Sequence, residues 1–135
     1  MKHTEHTELL HNHMAIPWHH LCKAENPPIT EATLSEKASI IGRTGLMLLS
    51  CGTGAWRVRS SMNTLARTMG ITCTADVGLV SIEYTCIDKT ETFSQSLCLT
   101  TTGVNTAKLS ELENFVLDFP AKHASETSKH LHKFL

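Results

Sequence analysis

Apolar residues in this chain change their spacing twice, and that change limits the fold more narrowly than any other feature. From Leu34 they fall at helical intervals: Leu34, Ala38, Ile41, Gly45 and Leu48, with Ile40, Met47 and Cys51 beside them. Thr33-Leu34-Ser35-Glu36 opens the run with an S/T-x-x-E pattern, whose two side chains satisfy backbone donors that a helix start leaves without partners. Gly52-Thr53-Gly54 interrupts the run. Val58, Met62, Leu65 and Met69 then form a second, narrow stripe, with Gly70 where a helix C-terminal glycine belongs. From Val80 the interval drops to two. Val80, Ile82, Tyr84 and Cys86 alternate with Ser81, Glu83 and Thr85, which is the pattern of a half-buried antiparallel strand. Asp88-Lys89-Thr90-Glu91 reads as a turn, and Phe93, Gln95, Leu97 and Leu99 alternate on the returning strand. Ile71 to Val77 supplies a shorter strand ending at Gly78. Beyond the loop Thr102-Gly103-Val104-Asn105, helical spacing returns in Leu109, Leu112, Val116 and Phe119, with Asn105 or Thr106 as cap and Pro120 as stop. Residues 122 to 133 allow a short, weakly amphipathic last helix.

The fold class is therefore α+β: two N-terminal helices, a small and mainly antiparallel sheet of about three strands, and one or two C-terminal helices. A length of 135 residues, with 41% hydrophobic and 19% charged residues, suits one globular domain. Residues 1–29 read as a His-rich, flexible tail closed by Pro27-Pro28, and residues 30–135 as the domain. Six of the nine histidines fall in the first 20 residues. A spanning helix needs about 20 predominantly apolar residues. The most apolar stretch, Ile40 to Trp56, is broken by Arg43, Thr44, Gly45, Ser50 and Gly52-Thr53-Gly54, so none is expected. Without a basic and then apolar leader at the N-terminus, the expected compartment is the cytoplasm.

A formal net charge of −1 gives no general surface for nucleic acid or anionic lipid. The charge is unevenly placed: basic residues prevail between positions 31 and 70 and acids between 71 and 118, mostly on solvated faces. Five cysteines, an odd number without C-x-x-C spacing, read as reduced thiols and not as a disulfide framework or zinc ribbon.

Candidate chemistry is sparse. The spacings of the tail histidines match no zinc motif, so no dedicated metal site and no cofactor is expected; His3, His6, His11 and His13 are the candidates for weaker metal affinity. There is no G-x-S-x-G elbow, P-loop or dinucleotide fingerprint. Gly52-Thr53-Gly54 before a helix start, with Arg57 and Arg59 within a turn, has the makings of a small-anion site. The plainer reading is that the glycines only let two helices turn sharply. Trp56 either packs over that turn or stands out beside Arg57 as a contact spot. Asp76 and Glu83 are expected to pair with Arg57 or Arg59 inside the fold.

Three patches resemble one family in the right order. Gly52-Thr53-Gly54-Ala55-Trp56-Arg57-Val58, continued by Met62, Leu65-Ala66 and Met69-Gly70, is similar to the opening of the soluble N-terminal domain of the threonine/serine exporter family. The strand Gly78-Leu79-Val80-Ser81-Ile82 and the stretch Thr102-Gly103-Val104-Asn105-Thr106-Ala107-Lys108-Leu109 extend the likeness over about residues 34 to 119. Gly54, Arg59 and Thr102 stand where that family usually has two acids and an arginine, while Arg57, Gly103 and Asn105 match. The resemblance implies a non-enzymatic accessory or regulatory domain at the cytoplasmic face of the bacterial inner membrane. In the family such a domain precedes the helices that export threonine, serine or related metabolites. This chain reaches Leu135 before any such helix, as an excised domain, a truncated product or a free-standing relative would. Implied partners are the transmembrane portion or a sister subunit of an exporter, a small amino-acid or anionic ligand, and a second copy. Gly52, Gly54, Trp56, Arg57, Arg59, Gly103 and Asn105 are the candidate contacts. Two alternatives stand beside it: a small hydrolase using the Gly52–Arg59 region, and a metal-binding module built on the tail histidines.

Overall fold

The computed structural model describes residues 27–99 and 106–135. Four helices and three strands follow in the order α1 (Leu34–Ser50), α2 (Ala55–Thr68), β1 (Thr72–Val77), β2 (Ser81–Asp88), β3 (Glu91–Cys98), α3 (Thr106–Asp118) and α4 (Ser128–Phe134). The α+β expectation holds, with every change of apolar interval falling at a change of element. The tail histidines, Gly103 and Asn105 lie outside the described residues. The packed chain reaches back to Pro28, which bridges to Thr127, and to Ile29, which is fully buried and donates its N–H to the Glu126 carbonyl at 2.7 Å.

Strand order is β1-β2-β3, antiparallel throughout, with unbroken one-to-one registers. Cys73, Val77, Ile82, Tyr84, Cys86 and Leu97 are buried on the inner face, under α1 and α2. The opposite face carries Thr74, Asp76, Glu83, Ser94 and Ser96, all exposed. Two bonds fix which backbone groups pair. Leu99 donates to Val80 at 2.7 Å, and Gly78 donates to Ser81 at 2.8 Å. In an antiparallel ladder, bonded pairs alternate with unbonded ones. Odd-numbered residues of β3 therefore point their N–H and C=O at β2, and even-numbered ones point them away from the sheet.

α1 lies on the inner face at close range. Its N-cap is Thr33, whose hydroxyl accepts from the Glu36 N–H at 3.4 Å. The Glu36 carboxylate does not return to the cap backbone as the sequence pattern suggests. Fully buried, it accepts from the Thr33 hydroxyl at 3.2 Å and from Ser128 of α4 at 3.0 Å. Three residues further along α1, Ser39 donates to the Glu36 carbonyl at 2.6 Å, so its oxygen must accept from Nε2 of His132, 2.9 Å away. Arg43 lies 3.2 Å from Nδ1 of the same ring and 3.0 Å from the His132 carbonyl. Hydrogen bonding thus places a proton on Nε2 of His132.

Pro120 does not stop the chain's helical path. α3 ends at Asp118, and a π-helical turn, Phe119–His123, carries the backbone on through the proline. Near its start a proline has no intrahelical N–H to lose, so its fixed φ is tolerated. Phe119 is fully buried there and meets Phe115 edge-on at 5.5 Å.

Candidate functional site

The corner between α1 and α2 is built by three residues with separate jobs. Gly52 takes a left-handed φ of 87°, which lets the chain leave α1, and Thr53 donates its N–H back to the Leu48 carbonyl at 3.2 Å. Gly54 is the N-cap of α2; its carbonyl accepts from Arg57 and Val58 at 3.1 Å each, but it has no side chain to cap the first turn. That end of α2 keeps the partial positive charge of its first N–H groups.

Two hollows flank the corner. The smaller, of about 170 Å³, is lined by Thr53, Trp56, Arg57, Ser60, Ser61 and Glu113, with Leu48 at its base. Arg57, Ser60 and Ser61 come to it from α2, beginning near that helix's N-terminus, and Glu113 from α3. Thr53 adds a buried hydroxyl oxygen with no hydrogen-bond partner in the described structure. The larger hollow, about 570 Å³, is an open and mainly apolar trough beside Gly52, Gly54 and the β1–β2 turn. Leu79 at 93% and Val80 at 49% exposure stand at its rim.

Of the expected contacts, Arg57 and Trp56 line the small hollow, Gly52 and Gly54 the trough, and Arg59 neither. Trp56 is 68% exposed and does not pack over the turn. The expected ion pairs are absent. Among the described residues neither Arg57 nor Arg59 pairs with a carboxylate. Asp76 and Glu83 instead sit directly opposite one another across β1 and β2, on the exposed sheet face. Ser60, Ser61 and Glu113 were missed by sequence reasoning, whereas Thr53 lay within the Gly52-Thr53-Gly54 motif. Spacing from Arg57 puts Ser60 and Ser61 on its helix face, but nothing local could bring Glu113 to it.

Chemistry for a hydrolase is not assembled at the corner, where Arg57 meets hydroxyls and a carboxylate but no histidine. Ser39 does contact His132, yet both are buried, and the Ser39 proton is held by a backbone carbonyl. No group of three or more metal-ligating side chains occurs among the described residues. Cys51, Cys73, Cys86 and Cys98 are free thiols, as the sequence suggested for them. Cys73 and Cys86 face each other across β1 and β2; the hydrogen bond between them, then burial, pushes the Cys86 thiol well above the ordinary range.

Fold and hollow together define a small helix-covered α+β domain with a polar pocket at an interhelical corner. The family model described as putative threonine/serine exporter matches residues 39–133, from within α1 into α4, and the chain belongs to that family. No curated protein and no solved structure gives a significant match. The protein is thus related to amino-acid exporters, although no helix among the described residues is long and apolar enough to cross a membrane.

Proposed function

We propose that this chain is the soluble accessory domain of an exporter-like transporter. It works at the cytoplasmic face of the bacterial inner membrane, is not itself an enzyme, and needs a transmembrane partner for export. The family match carries the reading: it takes in the sheet, α2, α3, α1 from Ser39 onward and α4 except Phe134. The corner hollow supports a ligand-contact role within it. Arg57 and the N-terminus of α2 suit a carboxylate, and Glu113 suits an ammonium group, the charge layout of a free amino acid. Serine and threonine hydroxyls around them offer partners for a polar side chain.

The test is to express the chain together with the transmembrane portion of a family exporter that lacks its own soluble domain. Membrane recovery of the chain and threonine efflux are then measured. Both are expected only when the two parts are present together, with efflux falling about tenfold in Arg57→Ala, the size of one lost charged hydrogen bond. Recovery of the chain in the soluble fraction, with efflux unchanged by its presence, would overturn the proposal.

A further inference from the structure

The outer edge of β3 carries a surface that the transport reading does not use. Even-numbered residues of this strand point their N–H and C=O groups away from β2. None of Thr92, Ser94, Ser96 or Cys98 has a backbone partner there among the described residues. Natural sheets usually blunt such an edge with a lysine, a proline, a bulge or an inward charge. β3 has none of these between Thr92 and Cys98, and its pairing with β2 runs residue for residue without a bulge.

The strand is also close to a palindrome. About Gln95, the sequence Thr92-Phe93-Ser94-Gln95-Ser96-Leu97-Cys98 reads polar, apolar, serine, glutamine, serine, apolar, polar in either direction. We propose that two copies of this chain join antiparallel along β3, centred on Gln95, to form a continuous six-stranded sheet. In that register Ser94 lies opposite Ser96 of the second copy, and Thr92 opposite Cys98. These are the residues whose backbone groups point outward, so each pair exchanges two hydrogen bonds. Phe93 meets Leu97 on the inner face, where cross-strand apolar pairs contribute. No charge lies on the seam between Thr92 and Cys98; Glu91 falls at its end, opposite Leu99 of the second copy. Glu83, paired with Ser96, and Asp76, paired with Glu83, remain one and two strands away from it, so like charges are not opposed. A heterologous strand would gain nothing from the symmetry, and the matched sequence therefore favours a second copy over a different partner.

The full chain should sediment as a dimer, and Ser94→Pro should weaken its association by about tenfold or more. That substitution removes an outward N–H and leaves the β2–β3 bonds in place, since prolines are tolerated on the open side of an edge strand. It also removes the Ser94–Thr85 hydroxyl contact of 2.8 Å. Ser94→Ala removes that contact alone and should leave the dimer intact. Register is tested separately with Thr92→Cys in a Cys22→Ser background. Positions 92 and 98 of one strand lie about 20 Å apart, so Cys98 can then form a disulfide only with the second copy. A covalent dimer that disappears when Cys98→Ser is added is expected. A wild-type monomer, a dimer unmoved by Ser94→Pro, or one equally weakened by Ser94→Ala overturns self-pairing. A Ser94→Pro-sensitive dimer that Thr92→Cys fails to cross-link overturns the Gln95-centred register.

Discussion

Gly42 is where α1 comes closest to the sheet. A Cβ built there would lie 2.6 Å from Cζ of Tyr84, a ring carbon that cannot move aside, because the Tyr84 hydroxyl is held 3.0 Å from the Ala38 carbonyl and 2.8 Å from the Gln95 amide. The one hydroxyl proton is shared between two acceptors, the Ala38 carbonyl on α1 and Oε1 of Gln95 on β3, so Tyr84 is tied to both layers. At Gly45 the corresponding neighbour is Met62 Sδ, also at 2.6 Å, on a side chain with three rotatable bonds. Gly42→Ala should therefore cost about 1–3 kcal/mol in urea unfolding, and Gly45→Ala less; equal costs would show that the Tyr84 clamp is not rigid. The same tyrosine sets an alkaline limit. Burial first, then the electrostatic influence of the nearby Cys86 and Cys73 thiols, raises its pKa well above the ordinary value. A pKa raised in the folded state gives stability that is complete below the unfolded value, near pH 10, and is lost as pH rises further. The thiols oppose each other in this respect, with Cys86 raised and Cys73 lowered by their shared hydrogen bond. Tm should begin to fall above about pH 8.5, where the unfolded Cys86 thiol ionises and the folded one does not. The fall should steepen above about pH 10 as tyrosine joins it, and only this second fall should be shallower in Tyr84→Phe. Gly45 could be assigned to the core from its place in an apolar stripe. Gly42 could not, since only the sheet beneath α1 gives it a reason to be small.

At the scale of elements, apolar interval and end signals carried most of the information. Thr33 caps α1, Gly54 precedes α2 and Thr127 caps α4 through a 3.2 Å bond from the His130 N–H. The turn of the β2–β3 hairpin was legible as polar residues between two alternating runs, but its geometry was not. Lys89 there has φ 56°, a left-handed conformation that its Cβ disfavours by about 1–2 kcal/mol. Asparagine tolerates that region and hydrogen-bonds its own turn. Lys89→Asn should raise Tm by about 4 °C for each kcal/mol recovered, and an unchanged or lower Tm would mean that the lysine is not strained. The π-helical turn had no signal at all. Pro120 reads locally as a stop, and only burial of Phe119 against Phe115 explains why the backbone continues through it. The corner hollow was half legible for the same reason: Trp56, Arg57, Ser60 and Ser61 follow from one helix, whereas Glu113 arrives from another.

Closure of the whole molecule depends on contacts that no local pattern encodes. α4 is seven residues long and carries one fully buried large apolar side chain, Leu131, too little burial to hold a short helix by itself. What else holds it is polar. Ser128 reaches Glu36 across 92 positions of sequence, and His132 reaches Ser39 across 93. These residues read as an N-cap partner, two ordinary serines and a helix-surface histidine, because partnership at that separation is visible only in three dimensions. Glu36 decides how the contact behaves. Its carboxylate is fully buried, and replacing Ser128 leaves Oε2 without its hydroxyl partner, where an unmet buried acceptor costs far more than a matched one contributes. Ser128→Ala should therefore destabilise the fold by about 1–3 kcal/mol, the cost of leaving a buried acceptor unmet. Adding Ser128→Ala to Glu36→Leu should cost much less, since no buried acceptor is then left unmet. Urea unfolding of the four proteins of this cycle gives the coupling directly. Strong coupling is expected, with an unchanged slope against urea because α4 stays docked. Simple additivity would mean that Leu131 and the surrounding apolar contacts hold α4 without help from the polar network.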